Sequence, residues 1–108
     1  MDGYGEFHWN DNSKYIGMYV KDKKEGFGIF YWPKNEKIYA GYWKNGKQNG
    51  PGTLFTKNGT KYYHWENEKI IKKYKFLWML QKMEDIPQKH LRFFKMDYNE
   101  ISNYIDMV

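Results

Sequence analysis

Residues with the chemistry of catalysts are few in this chain and scattered. His8, His64 and His90 carry imidazoles able to act as general bases or metal ligands, but no His-Glu-x-x-His pair, no cysteine and no carboxylate cluster accompanies them. His8 and His64 fall in segments of strand spacing, so all the histidines are expected as surface or sheet residues. Ser13 and Ser102 have no neighbouring base and no glycine elbow. The pairs Gly3/Gly5, Gly26/Gly28 and Gly50/Gly52 superficially suit phosphate cradling, yet neither Gly-x-Gly-x-x-Gly nor Gly-x-x-x-x-Gly-Lys-Ser/Thr occurs. The expectation is a chain that is not an enzyme and takes no cofactor and no metal.

What remains is binding chemistry. The 18 Lys and Arg exceed the 13 Asp and Glu, a formal net charge of +5. Lys21, Lys23 and Lys24 form one basic cluster and Lys44 and Lys47 another, both in turn-prone stretches. Such lysines can meet anionic lipid headgroups at about 1 kcal/mol each. The competing reading is solvated turns that guard a sheet edge. Lysines interleaved with tyrosines also suit single-stranded nucleic acid, but the rings are claimed by the packing described next, so no nucleic-acid partner is expected.

The rings are abundant: 11 Tyr, 7 Phe and 5 Trp among 108 residues. Disordered chains are poor in aromatics, and a chain of this length buries only about two thirds of its unfolded surface, so large side chains must supply the core. The absence of cysteine excludes a disulfide frame and suits a reducing, cytoplasmic compartment. No stretch approaches the roughly 18 to 20 apolar residues of a membrane span, and neither a span nor a signal peptide is expected.

Rings and glycines recur together. Gly3, Gly5, Phe7 and Trp9 return 23 residues later as Gly26, Gly28, Phe30 and Trp32. Tyr15, Gly17 and Tyr19 return after 24 as Tyr39, Gly41 and Trp43. Two half-motifs alternate, Tyr-x-Gly-x-aromatic and Gly-x-Gly-x-apolar, each with the period of two that marks a strand. Between them lie polar turns, Asn45-Gly46 being a favoured hairpin signal. The spacing therefore predicts a single-layer antiparallel β-hairpin meander over residues 1–65, with about two full repeats and two partial ones. Glycine weakens a strand unless it makes room for something. A neighbouring ring lying flat over it is the simplest occupant.

The residues resemble the MORN repeats (membrane occupation and recognition nexus), whose pattern is roughly Tyr-x-Gly-x-Trp-x-x-Gly-x-x-x-Gly-x-Gly. Residues 39–52 carry every fixed position, and residues 15–28 depart only at Tyr19 and Asp22. Asp tolerates a left-handed backbone, so that turn is expected to survive. Residues 3–9 look like a second half-repeat and 61–65 like a degenerate first half. The start at Gly3, in mid-repeat, leaves two readings: a piece of a longer array, or an edge strand offered to another chain. The resemblance implies a scaffold that binds a partner helix, or itself, along an aromatic groove and tethers a complex to cytoskeleton or membrane. Carried onto this chain, the groove comprises Tyr15, Tyr19, Phe30, Trp32, Tyr39, Trp43 and Trp65, and holds either a partner's helix or the chain's own residues 68–84. The alternatives are peripheral binding to anionic membranes through Lys21, Lys23, Lys24, Lys44 and Lys47, and the regulatory part of a larger enzyme.

From about Glu66 glycine disappears and the apolar spacing becomes helical. Ile70, Tyr74, Leu77 and Trp78 predict a helix over 68–84. Pro87 opens a short second helix carrying Leu91, Phe93 and Phe94. Asp97 with Glu100 reads as a capping box for a third, striped by Ile101, Tyr104, Ile105 and Val108. So apolar a tail cannot stay in water. Residues 66–108 are expected as helices that cover the meander's apolar face or cap its end, as solenoid arrays require.

Overall fold

Turn chemistry sets the topology. Lys21-Asp22 (φ 51° and 65°), Asn45-Gly46 (52° and 83°) and Asn67-Glu68 (50° and 71°) place both central residues in left-handed backbone. That is the turn hand that matches the right-handed twist of the strands it joins. Asp22 takes the conformation that the repeat pattern usually assigns to glycine. The computed structural model describes residues 2–74 and 86–107. Over them run β1 (Gly3–His8), β2 (Lys14–Val20), β3 (Lys23–Trp32), β4 (Lys37–Lys44), β5 (Lys47–Thr56), β6 (Gly59–Glu66) and β7 (Lys69–Tyr74), then helices α1 (Gln88–Phe94) and α2 (Tyr98–Asp106). The sheet is seven-stranded in chain order, with every neighbouring pair antiparallel. The expected meander followed by helices is what forms.

Each tight turn is fastened by the preceding repeat. The Lys21 N–H donates to the Asp2 carboxylate, the Asn45 N–H to Glu25 Oε1 at 3.3 Å, and the Asn67 N–H to Asn49 Oδ1 at 3.3 Å. Asp2, Glu25 and Asn49 each stand one position before a Gly-x-Gly. The second turn residues, Gly46 and Glu68, donate their N–H groups to the carbonyls of Lys24 (2.9 Å) and Gln48 (3.0 Å). Otherwise orphaned turn donors are thereby satisfied repeat by repeat.

The helix expected over 68–84 is corrected at its start. Residues 69–74 form β7 on the open edge of β6, after the left-handed Asn67-Glu68 turn. Ile70 and Tyr74, which helical spacing puts on one side, fall on opposite faces because the register shifts near Trp65: Ile70 pairs with Trp65 and Tyr74 with Tyr62. Ladder hydrogen bonds on a waiting edge outweigh a helical pattern in a segment containing two adjacent β-branched residues, Ile70-Ile71. The sheet thus runs past the boundary expected at 65/66, and residues 75–84 of that helix lie outside the described residues.

Strand alternation gives the sheet two apolar faces. One carries Ile16, Ile29, Ile38, Ala40 and Phe55, and against it pack Phe93 and Phe94 of α1 and Ile101 and Ile105 of α2. The helices cover the sheet as expected. α2 starts at the capping box read from sequence, with Asp97 Oδ1 accepting from the Glu100 N–H at 2.8 Å and Glu100 Oε1 from the Asp97 N–H at 3.2 Å. The Val108 end of its stripe lies outside the described residues.

His90 of α1 joins the cover to the sheet. Its ring stacks on Phe27 at 4.2 Å, and its Nδ1 shares a 3.1 Å hydrogen bond with the Tyr42 hydroxyl. Burial, and secondarily the Lys89 charge, hold its pKa below the ordinary 6.5. The folded state therefore binds fewer protons than the unfolded chain, so this contribution to stability is intact above about pH 6.5 and fades as pH falls through the lowered folded value. Thermal melts at about pH 7.5 and 5.5 should show a smaller acid-induced drop for His90→Phe, which keeps the stacking, than for the parent. Equal drops would remove His90 as the cause.

Candidate functional site

The other face is built from tyrosines laid over glycines. Gly17 faces Gly28 across β2 and β3, and Gly41 faces Gly52 across β4 and β5. These pairs have no side chain to pack, so the Tyr15 ring lies over the first and the Tyr39 ring over the second, where an added β-carbon would overlap the ring. Each phenol donates back to its own strand, Tyr15 to the Met18 carbonyl (3.0 Å) and Tyr39 to that of Tyr42 (3.2 Å). Both rings are fully buried, and burial drives both hydroxyl pKa values up, so they act as neutral donors.

Trp43 links the two units. It meets Tyr15 and Tyr39 edge-on, at 5.6 Å and 5.4 Å, and its indole N–H donates to the Gly28 carbonyl at 3.1 Å. Trp65 meets Tyr39 the same way at 5.8 Å, but its indole N–H, although buried, finds no acceptor among the described residues. Edge-to-face rings contribute about 0.5–1.5 kcal/mol per pair beyond burial. The ladder is therefore a packed wall as well as a surface.

Two outcrops of this wall reach solvent. Phe7, Trp9, Phe30 and Trp32 form a continuous strip, with successive centroids 4.5, 5.2 and 4.5 Å apart. Phe7 is 45% exposed and Trp9 36%. At the other end Leu54, Tyr63, Trp65 and Ile70 line a cleft of about 740 Å³, together with Lys37 and Lys61. Between the outcrops lies Lys24, its Nζ 5.3 Å from the Trp43 centroid, 5.6 Å from Phe30 and 5.8 Å from Trp9 and Tyr15. These distances are within cation–π reach. Burial lowers the Lys24 pKa, partly opposed by Glu68.

The MORN repeat family model matches residues 1–14, 15–37 and 39–61, more than half of the sequence. The chain belongs to the MORN-repeat family. No curated protein matches it. The second and third matched repeats begin at Tyr15 and Tyr39, the two rings that lie over glycine pairs. The MORN sheet then continues beyond the matched residues through the rest of β6 and β7. Membership is consistent with a repeat-based interaction module.

On this MORN sheet all seven residues expected in the groove gather on one face. Their roles divide by depth. Tyr15 and Tyr39 are buried props, Tyr19 and Trp43 are nearly buried, and Phe30, Trp32 and Trp65 are left partly open to contact. The helices α1 and α2 lie on the opposite face. Phe7, Trp9, Leu54, Tyr63 and Ile70 also line the open surface and were not among the expected residues. Phe7 and Trp9 are the repeat equivalents of Phe30 and Trp32, and Leu54 is that of Phe30, so the period itself marks them. Of the lysines singled out, Lys21, Lys23, Lys44 and Lys47 are exposed at and beside the tight turns, whereas Lys24 lies over the rings. His8 lies 3.8 Å from Glu6, His64 packs edge-on against Tyr74, and His90 sits under α1 on Phe27, so the histidines do not converge.

Proposed function

We propose that this MORN chain is a non-catalytic protein-interaction module whose aromatic face docks a helix of a partner protein, so that the chain serves as a scaffold. The observation that carries this reading is the pair of ring outcrops on the face opposite α1 and α2. Partly open rings in clusters are the surface type at which interface energy concentrates. The sheet's backbone groups are already spent on the ladder, so a segment laid across this face must satisfy its own backbone. A helix does so, and its apolar stripe suits a groove.

The test uses a labelled amphipathic peptide of about 18 residues, roughly 27 Å of helix, with a neutral polar side, followed by fluorescence anisotropy on the full chain. Trp32→Ala should weaken binding at least about tenfold, as loss of an aromatic anchor does, while the chain still melts as a folded protein, with only the modest loss expected for a partly open ring packed on Phe30. Equal affinity for parent and variant would place docking elsewhere.

A second reading, contact with an anionic membrane, is favoured by the exposure of Lys21, Lys23, Lys44 and Lys47 at one end of the strands. Its prediction is co-sedimentation with phosphatidylserine vesicles that fades as salt shortens the screening length from about 30 Å to about 8 Å. No binding at low salt eliminates it.

A further inference from the structure

Register assigns every strand residue to a face, and the aromatic face is electrically one-sided. Lys24 lies level with Tyr19, Lys37 with Trp32, Lys61 with Leu54 and Lys73 with Tyr63. By the same register, Glu6, Glu25 and Glu66 belong to the opposite face, since Glu6 pairs with Ile16, Glu25 precedes Gly26, which is level with Trp43, and Glu66 follows Trp65. Glu25 is moreover engaged with the Asn45 N–H. Among the described strand positions the aromatic face thus holds four lysines and no carboxylate. Glu36 also lines the cleft, where Lys57, another of its lining residues, pairs with it at 2.8 Å, so the cleft keeps Lys37 and Lys61 in excess, and Glu68 of the β6–β7 turn acts on Lys24.

We infer that the segment this face receives is an acidic amphipathic helix, with apolar side chains on Phe30, Trp32, Leu54 and Trp65 and carboxylates toward Lys24, Lys37 and Lys61. The inference rests on the docking reading above and specifies the chemistry of its partner. Charge complementarity chooses among occupants. A second copy would bring four further lysines against these four and be repelled. A flat lipid surface would meet rim residues, because Tyr15 and Tyr39 are fully buried beneath their neighbours. A basic helix, of the kind that many anionic grooves take, is excluded by the same sign argument.

The experiment compares three labelled peptides with one common apolar stripe and a polar side of Glu, Gln or Lys, by anisotropy at low and high salt on the full chain. The Glu peptide should bind about tenfold more tightly than the Gln peptide, the product of a few partly exposed charge pairs, and high salt should erase most of that advantage. The Lys peptide should bind more weakly than either. Lys37→Glu with Lys61→Glu, both at exposed positions, should abolish or reverse the preference while melting like the parent. If Glu and Gln peptides bind alike, the charge inference falls and docking stands. Binding of none of the three, with or without capture of phosphatidylserine vesicles, overturns the docking reading as well.

Discussion

Gly52→Ala is expected to destabilise the chain by about 3 kcal/mol, the opposite of what a strand glycine normally predicts. Gly52 has no left-handed φ, so alanine there should ordinarily gain about 0.5–1 kcal/mol by restricting the unfolded chain. Space reverses the sign. A β-carbon at Gly52 falls on the Tyr39 hydroxyl, Cζ and Cε1, and that ring is fully buried with its hydroxyl tied to the Tyr42 carbonyl at 3.2 Å. Trp43 and Trp65 stand edge-on against it at 5.4 Å and 5.8 Å, so it has nowhere to swing. For a domain of about 100 residues this corresponds to a midpoint lower by about 12–24 °C. Removing the ring tests the cause. Tyr39→Ala alone should cost about 3–5 kcal/mol, but in that background Gly52→Ala should cost almost nothing, because the new methyl enters vacated space. The cycle, measured by urea or thermal melts, should give a coupling of about 2–3 kcal/mol. Equal costs of Gly52→Ala in both backgrounds would show that the ring is not what the glycine accommodates.

That pairing of ring and glycine was legible in the sequence because a glycine held at a fixed strand position demands an occupant, and the tyrosines are phased to supply one. The same period marked the seven groove residues, and the capping box at Asp97 and Glu100 was readable because it is a purely local device. What the sequence concealed depends on neighbours distant in the chain. β7 forms because β6 offers an edge, which no periodicity within residues 69–74 announces. Lys24 is indistinguishable from Lys23 as a turn lysine until pairing sets it level with Tyr19 and brings Trp9, Phe30 and Trp43 around its ammonium. The second apolar face was present in the alternation of Ile16, Ile29 and Ile38, but the conspicuous rings drew the groove and the cover toward one surface. In the fold these tasks are separate: isoleucines and phenylalanines take the helices, and the rings face outward.

That separation makes the second large prediction. A chain ending at Tyr74 should fail to fold as a monomer. Phe93, Phe94, Ile101 and Ile105 are buried against the sheet, and at about 1.5–3 kcal/mol each their burial amounts to about 6–12 kcal/mol. This is comparable to the whole stability of a small domain, about 5–15 kcal/mol. Truncation would also return Ile16, Ile29, Ile38 and Phe55 to water as a contiguous patch, and such patches associate. Sedimentation velocity should report oligomers or precipitate, and the truncated chain should bind more hydrophobic dye than the full chain does. Phe94→Ala is the graded version, costing about 3–5 kcal/mol with the backbone intact, whereas Trp32→Ala on the other face, where the ring is partly open, should lower the melt far less and act chiefly on docking. A truncated chain that stays monomeric, melts like the parent and binds no more dye than the parent would show that the helices are dispensable to the sheet. The covered face would then have to be counted, with the aromatic one, among the surfaces available to partners.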